Sequence, residues 1–192
     1  MNRSSTSKFI PRHLVEYLFL VSEVAALNLP LVKKAPKARI VMTASAAHYG
    51  VDRIPYPDIL SSKCYDRLCN FYGSNLTTVM FVRHLARQLA QTHPHITVNC
   101  LQIVQHQFDQ ELVDPERVDG DWAAVSIDTT CCGARTFIYL ILSEEAEGVN
   151  WEYWLDERIR SRNAASNDPG KQEEFIRHSN KAVGIPLGSS HL

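Results

Sequence analysis

The chain has 192 residues, 20 basic and 21 acidic side chains, a net charge of −1 and 45% hydrophobic residues. That length fits one domain with a core of ordinary size. The balanced charge excludes the basic stripe of a nucleic-acid binder, and no run of like charge is long enough for a disordered interaction tail.

Residues 1–8 are Ser/Thr-rich and read as a flexible N-terminus with no secretory signal. From Ile10 to Leu31 apolar residues recur at helical spacing (Leu14, Tyr17, Leu18, Val21, Val24, Ala25, Leu29), and Pro30 is expected to stop or bend this helix. Glu16, Glu23 and Pro30 argue against a membrane span there. Arg39 to Thr43 reads as a buried strand, and residues 49–66, with Gly50, Pro55 and Pro57, as an irregular loop.

A second helix is predicted from about Leu68 to Gln91, with Leu76, Val79, Met80, Val82, Leu85 and Leu89 on its apolar face. Ile96 to Leu101 is β-branched and reads as a strand, and residues 102–128 as a long loop or lid. A third helix is expected over Thr129 to Leu142, a last strand over Trp151 to Leu155, a polar loop over 160–170 and a final amphipathic helix over 171–184. Trp151 and Trp154 are both expected to pack around that last strand. The domain is taken as 9–185 and the tail as 186–192. This alternation predicts an α/β fold, with about three parallel strands and helices on both faces.

Five cysteines (64, 69, 100, 131 and 132), odd in number and without Cys-x-x-Cys, predict a reduced compartment and no disulfide framework. The histidines have no metal-ligand spacing, so no metal is expected. Ser45, at a strand end, is a candidate site residue whose alternative is simple turn chemistry. His48 is expected to be a loop histidine; Asp109 and Glu111, solvated loop carboxylates; Arg12 and Glu16, an i, i+4 helix pair.

Several segments resemble the short-chain dehydrogenase/reductases, above all their retinol-dehydrogenase-like branch. Arg39-Ile-Val-Met-Thr-Ala-Ser45-Ala-Ala47 resembles the active-site strand, and Phe71-Tyr-Gly-Ser-Asn75-Leu76 the start of the active-site helix. His13-Leu14, Ala46-Ala47-His48, Phe81 to Arg87, Gly133 to Thr136 and Gly148-Val149 match further segments in order. The resemblance implies a partial Rossmann-like fold that lacks the N-terminal dinucleotide-binding strands. The family places a Ser at the strand end and Tyr-x-x-x-Lys on the helix. Ser45 is present, Phe71 aligns with the Tyr, and Asn75 with the Lys. A one-residue gap brings Tyr72 to the Tyr position instead, so Ser45 and Tyr72 are the catalytic candidates. Arg12 aligns with the family's catalytic Asn, and Ile103-Val104 with its Pro-Gly. There is no G-x-G-x-x-G segment.

The resemblance thus implies NADP(H) for the family, with no cofactor expected for this chain alone. It implies a lipophilic small-molecule substrate in small-molecule or secondary metabolism, and a homodimer or a dimer with a related protein. Three roles follow: a non-redox isomerase, cyclase or remnant; an NADP(H) oxidoreductase completed by a missing N-terminal half; and a non-catalytic subunit paired with an intact paralogue. The strand at Ile40 to Thr43 is expected to present an open edge. The C-terminal Ser190-His191-Leu192 resembles a peroxisomal signal, so the expected location is cytoplasmic or peroxisomal.

Overall fold

In a computed structural model the structure describes residues 24–25, 27–54, 56, 66–103 and 129–183. The expectations for Arg12, His13, Glu16, Cys131, Cys132, the 104–128 lid with Asp109 and Glu111, and Ser190 to Leu192 fall on residues or side chains outside that set. The described part is an α/β fold whose sheet has the strand order β1-β2-β3-β4. The strands are β1 (Ala38–Ala44), β2 (Ile96–Gln102), β3 (Tyr153–Leu155) and β4 (Arg158–Arg160). β1, β2 and β3 run parallel, as predicted; β4 turns back antiparallel on β3.

β4 is a strand the sequence did not announce. Leu155 pairs with Arg158, leaving Asp156 and Glu157 as a two-residue turn, both with positive φ (52° and 57°). Such turns ordinarily use Asn-Gly or Asp-Gly, and Glu is a poor marker for a left-handed position. Here α2 (Thr129–Leu142) holds the turn in place. Arg135 donates to both Glu157 carboxylate oxygens at 2.5 and 3.0 Å, and the Glu157 N–H donates to Thr136 Oγ1 at 3.2 Å.

β1 and β2 alternate their side chains between two layers. Met42, Ala44, Ile96, Val98 and Cys100 face one core; Val41 and Leu101 face the other. The first core is closed by α1 (Arg67–Thr92), α3 (Pro169–Val183) and Leu29 of a helical segment at 27–32. Pro30 does not end that segment, which continues to residue 32. α2 covers the other face through Leu140, beside Trp154.

α1 starts at Asp66, whose Oδ1 accepts from the Cys69 N–H at 2.8 Å. The predicted apolar face is buried throughout: Leu76, Val79, Met80, Val82, Leu85 and Leu89 have almost no exposed surface. Thr77 and Thr78 are buried too, because their hydroxyls donate to the Ser74 carbonyl at 2.7 and 3.0 Å. α3 has Pro at its first position, and Asp168 Oδ1 accepts from the Gly170 N–H at 2.8 Å.

Three boundaries differ from expectation. Gln102 belongs to β2, not to the following loop. The predicted loop at 160–170 holds a short 3-10 turn, Ala164–Asn167, and the first residues of α3. Trp151 precedes β3 rather than opening it: its φ of 60° turns the indole outward, 42% exposed, with the Arg83 guanidinium 5.6 Å from the ring centroid. Trp154 is buried as expected, 5.9 Å from the Tyr139 ring.

Candidate functional site

The candidate site lies where the C-terminal end of β1 meets the first turns of α1. Ser45 follows β1 and caps a 3-10 turn, Ala46–Gly50. Its Oγ accepts from the Ala47 N–H at 3.2 Å, so the turn-chemistry role is real. A hydroxyl that accepts there still has its hydrogen to donate. Among the described residues nothing takes that hydrogen, and Ser45 is half-buried at the turn's mouth.

Tyr72 meets the other end of the same turn. A Cβ built on Gly50 would stand 2.4 Å from the Tyr72 ring, so only glycine lets the two approach. Phe71, its neighbour, is 39% exposed, with the ring centroids 6.2 Å apart. Tyr72, on α1, thus packs against Gly50 at the far end of the turn that Ser45 caps, and Phe71 lies at the surface. α1 is continuous through Gly73, and Phe71 and Asn75 sit one turn apart. Asn75 is buried, and its Nδ2 donates to the Phe71 carbonyl at 2.9 Å. Ser74 Oγ donates to the same carbonyl at 2.8 Å.

His48 is not the loop histidine expected. It is fully buried, 4.6 Å from the Tyr153 ring in an edge-on contact and 4.1 Å from Tyr49. Its Nδ1–H donates to the Ser45 carbonyl at 2.7 Å, while Nε2 is buried without a partner among the described residues. Burial pushes the imidazole down to about 4, against the opposing pull of the Ser45 carbonyl. It is a neutral strut that fixes the turn carrying Ser45.

Three further residues hold that turn, and the sequence reading missed them. Gln102 Oε1 accepts from both the Ala46 N–H at 2.9 Å and the Tyr153 hydroxyl at 2.8 Å. Asn163 Nδ2 donates to the carbonyls of His48 and Val51 at 2.9 and 2.7 Å. Each is a polar residue buried far along the chain from the turn it satisfies, and no local pattern announces such a pairing.

Cys100 is buried and free, its thiol pushed up to about 12 by burial, so it is not a nucleophile. Cys69 is also free. Among the described residues no group of three or more His, Cys, Asp or Glu converges on a metal position. No described helix is long and apolar enough to cross a membrane.

No family model matches the chain. Among curated proteins it is 34% identical to human Retinol dehydrogenase 14 over 135 residues, 68% of this chain and 39% of that protein. It is 32% identical to human Polyprenol dehydrogenase over 136 residues, 63% of this chain and 37% of that protein. The Danio rerio Polyprenol dehydrogenase is 29% identical over 151 residues, 77% of this chain and 46% of that protein. The chain thus spans less than half the length of the curated relatives it matches. A solved structure of an uncharacterized protein from Mycobacterium Paratuberculosis has the same fold: TM-score 0.62 at 16% identity, covering 92% of this chain and 58% of that one. With these relatives and the sheet layout in agreement, the chain belongs to the short-chain dehydrogenase/reductase family, in its retinol-dehydrogenase-like branch.

Proposed function

We propose that this chain is the substrate-side part of a short-chain dehydrogenase/reductase domain and that, on its own, it transfers no hydride. The observation that carries this reading is the Asn75 amide. At the position where the family has a lysine, Nδ2 donates to the Phe71 carbonyl of its own helix, and Phe71 has no hydroxyl. The residues present do not fit the nicotinamide ribose. Position 75 carries no cation to lower a tyrosine pKa, and its side chain is already bonded within the helix. No redox step is therefore assigned to this chain alone.

What the site offers is positioning and one hydrogen bond. Ser45 has a hydroxyl hydrogen to donate to a substrate oxygen, on a turn fixed by His48, Gln102 and Asn163. Tyr72 lies at the far end of that turn. Such a site suits isomerisation or cyclisation of a lipophilic substrate. The relatives' names point to isoprenoid alcohols as the class to try.

The test has two arms. Calorimetric titration of the chain with NADPH and with NADH should show no saturable binding in the micromolar range. Incubation with retinol or a polyprenol, without nucleotide, should give a rearranged product that Ser45→Ala abolishes. Saturable micromolar nucleotide binding would overturn the reading. A second reading, an NADP(H) oxidoreductase completed by a nucleotide-binding half, is favoured by the place of β1 at the edge of the sheet among the described residues and predicts binding only once that half is supplied.

A further inference from the structure

The segment that leads into β3 is fastened to β2 by side chains and backbone together. Asn99 Nδ2 donates to the Val149 carbonyl at 2.7 Å, and Asn99 Oδ1 accepts from the Glu152 N–H at 2.9 Å. Asn150 Oδ1 accepts from the Val98 N–H at 2.8 Å, and the Trp151 N–H donates to the Val98 carbonyl at 2.7 Å. Held this way, Trp151 has a φ of 60°, a left-handed backbone that tryptophan adopts only under constraint. Its half-exposed indole rests over the Arg83 guanidinium of α1.

Arg83 is in an unfavourable place of its own. Its Nε and Nη1 are buried and have no acceptor among the described residues. Burial, and after it the charge of Arg162, push the guanidinium below its ordinary value, while Glu152 opposes them. The Glu152 carboxylate is paired with Arg162 Nη1, and Asn167 Oδ1 accepts from Arg162 Nε at 3.0 Å. Arg160 repeats the pattern of Arg83: its Nε is buried without an acceptor among the described residues. Arg160 pairs with Tyr153 across the hairpin, and paired side chains share a face, so it lies on the first-core side that α1 covers. Tyr49 stands between Arg160 and Arg162 electrostatically. Burial raises its phenol, and the Ser161 bond and then both arginine charges act against the rise.

Arg83 and Arg160 are thus each gathered with Arg162 beside β3, against one carboxylate, Glu152; Arg87, at the margin, is balanced by Glu173 at 3.3 Å. Two of these three guanidiniums keep buried N–H donors unpaired, which low-dielectric surroundings penalise until an acceptor arrives. The excess of positive charge matches a phosphate group, which carries about −1.5 to −2 at neutral pH and presents oxygens that guanidinium forks bind well. A carboxylate, with a single charge, leaves the cluster only partly neutralised.

We propose that Arg83 and Arg160 are the donors of a phosphate-binding site beside β3, covered by Trp151, and that its ligand is a small phosphorylated molecule. Arg162, held by Glu152 and Asn167, adds charge without moving. Because the Trp151 backbone is bonded to Val98, rotation of the indole about its side-chain torsions uncovers Arg83 and leaves β3 in place. The site requires neither the Ser45 hydroxyl nor a nicotinamide nucleotide.

The experiment titrates the full chain with inorganic phosphate by calorimetry at fixed ionic strength. Saturable one-to-one binding is expected at about 1 mM or tighter, with acetate at least tenfold weaker. Arg83→Gln and Arg160→Gln should each weaken phosphate binding about tenfold, while Arg177→Gln, which removes the same charge from an exposed place on α3, leaves it within about twofold. Trp151→Gly should tighten binding about threefold, since glycine takes the left-handed backbone without strain and uncovers Arg83. Should Arg83→Gln unfold, the Arg160→Gln and Trp151→Gly variants decide. Absence of saturable binding, acetate binding as tightly as phosphate, an equal loss in Arg177→Gln, or weaker binding in Trp151→Gly would overturn the proposal. The NADPH titration is repeated with phosphate at saturation, so nucleotide held here by its phosphates is not read as a nicotinamide site.

Discussion

One face of the sheet is sealed and the other is half finished. On the first, α1, α3 and the 27–32 segment close over β1 and β2, leaving Leu85, Leu89 and Phe175 with almost no exposed surface. On the second, α2 is the one helix among the described residues, anchored by Leu140 and the Arg135–Glu157 pair, with its outer flank exposed. The candidate site belongs to the sealed face. A turn that must hold Ser45 in place draws on His48, Gln102, Tyr153 and Asn163, and all four are buried. Rigidity lies where the site is, and unfinished surface where another element can add.

The sharpest way to break this contrast is to cut side chains on both faces. Leu85→Ala or Phe175→Ala should cost about 3–4 kcal/mol in urea unfolding, through lost burial and a cavity. If either costs no more than a surface change, the first face is not the closed core described here.

Acid tests the turn itself. His48 is held neutral when folded, with its pKa lowered from 6.5 to about 4. A histidine lowered in the fold takes up its proton more readily when unfolded. Its contribution is therefore complete above pH 6.5 and is lost as pH falls toward 4, about 3 kcal/mol in all. Unfolding free energy measured across that window should fall, and His48→Asn, which retains a donor for the Ser45 carbonyl, should flatten the slope. An unchanged slope would remove His48 from the account.

Gly50→Ala drives a methyl into the Tyr72 ring and should cost about 1–3 kcal/mol. Combining it with Tyr72→Ala should recover part of that loss, and a double-mutant cycle reads the coupling. Strict additivity would mean that the turn and α1 are not in contact there. Asp66→Ala, which removes the α1 cap, should cost about 1 kcal/mol by thermal unfolding. Smallest of all, Leu142→Ala on the open flank should stay within about 0.5 kcal/mol in the isolated chain. A loss as large as that of Leu85→Ala would mean that the flank is already covered.

The 3.6-residue spacing of Leu76, Val79, Leu85 and Leu89 announced α1 and its buried face, and the β-branched run at Ile96 announced β2, because these signals are local and periodic. The segments around Ser45 and Phe71–Asn75 carried the family resemblance for the same reason. The β3–β4 hairpin, Gln102 as a strand residue and the outward Trp151 were not legible. The hairpin's left-handed turn is stabilised by α2 rather than by a glycine, and Trp151 is turned outward by a positive φ that tryptophan does not advertise.

By itself, then, the sequence determined the long helices, the strands β1 to β3 with their parallel sense and which positions near Ser45 deserved attention, since hydrophobic period and residue chemistry act over a few neighbours. Only the tertiary structure decided that His48 is a buried strut, that Gly50 and Tyr72 interlock and that Asn75 is bonded within its own helix. Those outcomes depend on contacts between residues distant along the chain, where satisfying a buried polar group or excluding water outweighs any local preference.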